Sequence, residues 1–146
     1  MAGHHDEGGG LKELSTAIFS KLSGSALSAH IGNRLFKGRA PEGAEYPYAV
    51  YIIVSNSPEK TFSEDFENTI IQFSLFSAAS GSTEVEDMYE DLIALYDECA
   101  MTLTSSTLVW MKRTNATLMI EDHTTPAGTV QVWHYAVDFE VMTSLN

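Results

Sequence analysis

One cysteine in 146 residues, Cys99, excludes an internal disulfide and any all-cysteine metal cage. Basic residues are also scarce. Eight Lys and Arg stand against twenty Asp and Glu, a formal net charge of −12. That balance argues against a groove that grips phosphate through clustered cations. The longest apolar run, Ala49 to Val54, is far short of the ~20 residues that span a bilayer. No basic segment leads into an apolar one as a secretory signal would, so the expectation is synthesis in the cytoplasm and no membrane partner. Without a secretory route, the sequon Asn115-Ala116-Thr117 reads as incidental. The chain also lacks G-x-G-x-x-G, a P-loop, H-E-x-x-H and C-x-x-C, so no motif implies a cofactor, a metal or a reaction.

What is present reads as one folded domain, since 44% apolar residues is ordinary for a globular chain. Residues 1–10, MAGHHDEGGG, have the composition of a flexible tail, with His4 and His5 incidental. The domain is expected over residues 11–146. Leu11, Leu14, Ile18 and Leu22 fall on one helical stripe that ends at Ser23-Gly24-Ser25, and a short helical turn closes at Gly32. A short strand is expected at Arg34 to Lys37. Pro41 and Pro47 then set a turn-rich lead-in to a strand from Tyr48 to Val54 that is apolar on both faces. A polar loop over Ser55 to Asp65 and a strand from Phe66 to Ser77 follow.

Thr83 and Glu86 have capping-box spacing at the head of an acidic helix. Its expected stripe is Val85, Met88, Leu92, Leu95, Cys99 and Leu103, with Cys99 as a small buried apolar group. Two long strands, about Thr107 to Glu121 and Thr129 to Thr143, close the chain. A turn centred near Thr125 and Pro126 would put Leu108, Trp110, Leu118 and Ile120 on a core face and set Arg113 against Asp138. The expected fold is α+β: a mainly antiparallel sheet of about four to five strands with two main helices packed on one face. Two helices cannot cover both faces, so the surplus apolar groups on the strands call for a second covering surface, most simply another copy.

Candidates for chemistry are weak. Glu121, Asp122 and His123 are adjacent beside a turn and point different ways. His134, Asp138 and Glu140 share a strand face, but His134 and Asp138 lie about 13 Å apart at ~3.3 Å per residue. The expectation is no catalytic residue, no metal ligand and no cofactor. Charge is unevenly placed: five of the eight bases lie between Lys12 and Arg39, and ten acids between Glu64 and Glu98. A basic early segment of one copy can therefore face the acidic segment of another.

The order and spacing of these segments resemble the tail-completion or tail-terminator family of long-tailed bacteriophages, which includes head-to-tail joining and minor tail proteins. The resemblance lies in LKELSTAIFSKLSG, in HIGNRLFKGRAPEGAEYPYAVY with its Tyr-Pro-Tyr strand opening, in the acidic helix STEVEDMYEDLIALYDECA and in the terminal VQVWHYAVDFEVMT. It covers nearly everything after Gly10. The resemblance implies a structural virion protein that forms a hexameric ring at the head-proximal end of a tail. There it would stop growth of the tube, meet the tail tube protein and dock the head connector or neck, with DNA passing through its lumen without tight binding. On that reading Arg39, Tyr48 and Tyr51 are expected at the subunit interface. Loops carrying Asn56, Glu59, Lys60, Glu64 and Asp65, and Asp122 and His123, are expected to touch tube or connector. The alternatives are another neck or minor-tail ring component, or a small ligand-binding or hydrolytic domain built on His134, Asp138 and Glu140.

Overall fold

A computed structural model describes residues 5–60 and 64–145. In order these form α1 (His5–Leu22), α2 (Ala26–Ile31), β1 (Leu35–Lys37), β2 (Tyr48–Lys60), β3 (Asp65–Ser77), α3 (Thr83–Tyr96), β4 (Ser106–Thr125) and β5 (Gly128–Leu145). The strands make one sheet in the order β1-β2-β3-β5-β4. β1 runs parallel to β2, and every other pairing is antiparallel. The fold is therefore the expected α+β arrangement. Helix α1 begins at His5, earlier than the expected Leu11. Residues 1–4 of the expected tail, His4 among them, lie outside the described residues.

Local chemistry explains the helix ends. Ser25 caps α2, its hydroxyl accepting from the Ser28 amide at 3.2 Å, and Gly32 ends it at φ 61°. α3 is capped one residue earlier than the capping-box spacing suggests. Ser82 is the N-cap, its hydroxyl donates to the Glu86 carboxylate, and its carbonyl accepts from the Glu86 amide. The expected apolar stripe also runs past the helix end. After Tyr96 the chain turns at Glu98, with φ 54°, whose amide donates to the Met111 carbonyl on β4 at 2.7 Å. Leu103 therefore belongs to the connection into β4, while Cys99 packs half-buried against the core.

Helices α1 and α3 bury Leu14, Ile18, Leu22, Val85, Met88, Leu92 and Tyr96 against one face of the sheet. That face carries Tyr51, Ile71, Phe73, Val137, Phe139 and Val141. Each such fully buried side chain contributes roughly 1.5–3 kcal/mol. Tyr96 ties the layers together. Its ring stacks on Phe73 at 5.0 Å, and its hydroxyl donates to the Ile18 carbonyl of α1 at 2.6 Å.

Two expectations for the terminal hairpin change. Thr125 pairs with Gly128, so the turn is Pro126-Ala127 and the register moves by two residues, which preserves the faces. Bulges between Arg113 and Asn115 and between Leu108 and Trp110 then reverse the phase between them. Met111 therefore enters the core, while Trp110 stays half-buried on the opposite face under the Lys112 ammonium. Leu118 and Ile120 do share the helix-covered face with Trp133 and Tyr135, but they lie exposed there, Ile120 at 51%. Arg113 stands opposite Phe139 instead of Asp138, and its guanidinium donates to the Tyr89 hydroxyl.

Candidate assembly surface

The open face of the sheet, away from the helices, carries the molecule's unassigned chemistry. Its lower part lies beneath the lead-in to β2. Ala44 donates its amide to the Pro41 carbonyl at 3.2 Å, and Gly43 sits at φ 82°. That is the third position of a four-residue turn, where a positive φ suits glycine. Gly38 at φ 89° donates to the Tyr51 carbonyl, ending β1. The lead-in therefore folds back over the sheet and, with the tip of the β4–β5 hairpin, encloses a cleft of about 610 Å³. Tyr48, Val50, Ile52 and Phe76 contribute to its floor, and Arg39 and Thr125 stand at its walls. Both faces of β2 are apolar for separate reasons: Ala49 and Tyr51 face the helices, while Tyr48, Val50 and Ile52 face the cleft.

A polar cluster fastens the lead-in to the hairpin. The Tyr46 hydroxyl lies 2.8 Å from His123 Nδ1. His123 Nε2 donates to Glu121 Oε1 at 3.0 Å, and His134 Nδ1 donates to Glu121 Oε2 at 2.6 Å. Phe76 packs among Tyr48, His123 and His134, with its ring centre 4.4 Å from that of His134. His134 Nε2 is buried with no hydrogen-bond partner. Burial pushes the Glu121 carboxyl up, but the bonds from His134 and His123 outweigh it and hold the group below its ordinary range. Burial, reinforced by Tyr46, pushes the Tyr48 hydroxyl up to about 12.

In sequence Glu121 and His123 are only neighbours beside a turn that point different ways, and this cluster is not among the expected sites. Their i, i+2 spacing was a visible signal, but only the pairing of Ile120 with Trp133 and Met119 with His134 brings in the third member. Higher on the same face, Asp138 accepts from Gln72 at 3.0 Å and Glu140 from Asn68 at 2.6 Å. Both carboxylates are thus committed to neighbouring strand residues on an open sheet, not set across a cleft. Burial pushes the Cys99 thiol up, which disfavours a nucleophilic thiolate. Among the described residues no group of three or more His, Cys, Asp or Glu has a geometry that would hold a metal.

The expected interface residues separate. Arg39 is exposed. Tyr51 is 2% exposed, its ring 5.8 Å from Phe73 within the core, so its side chain is not presented at a surface. Tyr48 is 9% exposed beneath Tyr46 and beside Phe76. The expected polar loop at Ser55 to Asp65 is mostly strand. Asn56, Glu59 and Lys60 belong to β2, Asp65 begins β3, and only Glu64 and residues 61–63 lie between, the latter outside the described residues. Asn56 donates to Thr69 Oγ1 at 2.7 Å, which explains why a polar residue continues the ladder. Asp122 and His123 are likewise in β4 rather than a loop.

Among the described residues, both outer sides of the sheet are only partly covered. β1 covers β2 only at Ala49 to Tyr51, so β2 from Ile52 onward has β3 on one side alone. β4 has β5 as its strand neighbour, and on its outer side the turn after α3 binds it: the Met111 carbonyl accepts from the Glu98 amide, and the Arg113 amide donates to Asp97 Oδ1 at 2.9 Å. Among the described residues, most exposed large apolar side chains lie on these two strands, Ile52 and Val54 (56%) on β2 and Val109, Leu118 and Ile120 on β4, with Phe19 on α1 and Leu145 at the end of β5.

Residues 16–144 match the family described as tail completion protein gp17. No curated protein matches the chain. Among solved structures, a chain from one titled as the virion of a native gene transfer agent particle superposes with a TM-score of 0.71. It is 13% identical, over 92% of this chain and 96% of that one. A second solved chain is 15% identical with a TM-score of 0.52, over 90% of this chain and 94% of its own length. At such identities these two likenesses describe the fold.

Proposed function

The chain belongs to the tail completion protein gp17 family, a structural component of a phage-type tail, and from that premise we propose that it closes the head-proximal end of the tail as a homo-oligomeric ring, most simply a hexamer. The ring stops addition of tail tube protein and offers its other side to the head connector or neck. The observation that carries this reading is the set of exposed apolar side chains on β2 and on β4, toward opposite sides of the sheet. A monomer gains nothing from exposing both, whereas a head-to-tail ring covers each with the other.

The ends of the sheet support a two-sided role. The β2–β3 hairpin, with Glu59, Lys60, Glu64 and Asp65, lies at one end of the strands, and the β4–β5 turn, with Asp122 and His123 close by, lies at the other. With the ring axis along the strands, one end meets the tube and the other the connector. Charge supports it as well. Lys37 and Arg39 are exposed beside β1, while Glu86, Asp87 and Glu90 are exposed on α3, which packs over β3, β5 and β4. A net charge of −12, with Asp138 and Glu140 on the open face, suits a lumen along which DNA slides without gripping.

Particles assembled without this chain test the proposal. The expected outcome is DNA-filled heads and separate tails, some of them overlong. Normal-length tails attached to heads would overturn it. Normal-length tails that fail to attach would instead favour a neighbouring neck protein.

A further inference from the structure

We propose that adjacent copies join by adding β4 of one copy, over Ala116 to Leu118, antiparallel to β1 of the next, over Leu35 to Lys37. This rests on the ring reading above and names the surface that closes it.

Direction and height agree. β1 and β4 are the two ends of the strand order. β1 runs with β2, and three antiparallel steps separate β2 from β4, so β1 and β4 run in opposite senses. Rotation about an axis parallel to the strands preserves those senses. Following the ladders, Leu35 pairs with Ala49, Ala49 with Leu75, Leu75 with Tyr135, and Tyr135 with Leu118. By the same route Lys37 reaches Ala116 through Tyr51, Phe73 and Val137. The two stretches therefore stand level on opposite sides of the sheet. A closed ring permits rotation without translation along its axis, so level edges are what it requires.

The phase of the backbone groups agrees as well. The Arg34 carbonyl accepts from the Ala49 amide and the Gly38 amide donates to the Tyr51 carbonyl, so Arg34, Phe36 and Gly38 face β2. Leu35 and Lys37 therefore turn their backbone groups outward. The Asn33 carbonyl holds the Leu35 amide, but nothing among the described residues takes the Leu35 carbonyl or the Lys37 amide and carbonyl. On β4, Met111 and Arg113 face outward, to Glu98 and Asp97. The extra residue at the bulge between Arg113 and Asn115 moves that phase by one, so Ala116 and Leu118 are the next outward residues. Lys37 can then exchange two hydrogen bonds with Ala116, and the Leu35 carbonyl can accept from the Leu118 amide. The outward groups fall on the residues that stand level, where a shift of one residue would lose every bond.

Outline and side chains fit the same pairing. β1 projects beside β2 only as far as Tyr51, level with Ala116, while the turn after α3 binds β4 at Met111 and Arg113, beyond that level. Leu118 and Ile120 are exposed at 37% and 51% on the helix side of β4. On the next copy, Gly32 and Asn33 lead into β1 and border, with Phe19, a hollow of about 380 Å³ among the ends of α1 and α2. Phe19 is itself 46% exposed, so the hollow offers apolar surface to Ile120. Charge agrees. Lys37 is exposed on the helix side of β1. Across the junction Tyr89 of α3 stacks on Tyr135, the partner of Leu118, and Glu86 lies exposed one turn before it.

Directly opposed residues of an antiparallel pair have Cβ atoms about 4.5–5.5 Å apart, close enough for small shifts to allow a disulfide. The full chain is made as Cys99→Ser with Lys37→Cys and Ala116→Cys, assembled on tails and oxidised. The expected result is a shift from the monomer band to a ladder ending at the ring's subunit number, with each single-cysteine variant staying monomeric. A second set moves the pair to Phe36→Cys with Thr117→Cys, which stand level through Val50, Ser74 and Ala136. Rings that form, by sedimentation or micrograph, yet give no ladder with either pair overturn this edge pairing and leave the ring reading standing. A wild-type chain that forms no ring in solution or on tails overturns both.

Discussion

Glu121→Gln tests the polar cluster described above, which joins lead-in and hairpin. The carboxylate accepts from His123 Nε2 and His134 Nδ1. An amide of the same shape accepts at one end only and presents N–H hydrogens at the other, where an imidazole N–H already points. Either that bond is lost, or His134 moves its hydrogen to Nε2, which is buried without a partner. Charge-assisted hydrogen bonds contribute about 1.5–3 kcal/mol, and the Glu121 side chain is 33% exposed, so solvent screening favours a loss of ~1–1.5 kcal/mol. With a urea slope of about 1.5 kcal/mol/M, the unfolding midpoint at pH 7 falls by roughly 0.7–1 M at unchanged slope. The pH dependence has a definite sign. A carboxyl held below its ordinary 4.5 in the fold contributes stability that is present above pH 4.5 and is lost as pH falls through the lower folded value. The gap between wild type and variant should therefore be full at pH 6–7 and shrink below about pH 4. Equal midpoints at pH 7, or a gap as wide at pH 3.5 as at pH 7, would refute the reasoning.

Tyr96→Phe removes the hydroxyl that donates to Ile18 while keeping the ring on Phe73, and should lower unfolding free energy by about 1 kcal/mol without changing the assembly state, as read from urea titration beside sedimentation. Tyr51→Asp places an unpaired charge in the core, so circular dichroism should show an unfolded or molten chain; a folded variant that merely fails to assemble would place Tyr51 at a surface instead. Arg39→Glu, at an exposed position, should leave the thermal midpoint within about 2 °C, since surface changes stay within about ±0.5 kcal/mol, yet weaken assembly measured by sedimentation. Unchanged assembly would remove Arg39 from the interface.

Periodicity and turn chemistry alone determined the element order, the fold class and much of the core. Leu14, Ile18 and Leu22, the α3 stripe up to Leu92, and the alternation through Ile71, Phe73 and Leu75 all rest on neighbours within a few residues. The excess of apolar strand residues over what two helices can cover was also legible, because it is a matter of composition. Pairing between distant segments was not. The phase reversal that buries Met111 in place of Trp110 comes from bulges, which depend on how β4 fits β5. The extension of β2 to Lys60 depends on β3 continuing the ladder beneath polar residues that read locally as loop. Tyr51 reads the same as Tyr48 in sequence, yet the helices that pack over one face bury it in the core and leave Tyr48 beside the cleft. The Tyr46, Glu121, His123 and His134 cluster joins three segments far apart in the chain. Only the tertiary structure brings them together, because hydrogen bonds act over about 3 Å and the chain alone does not fix which distant groups come that close.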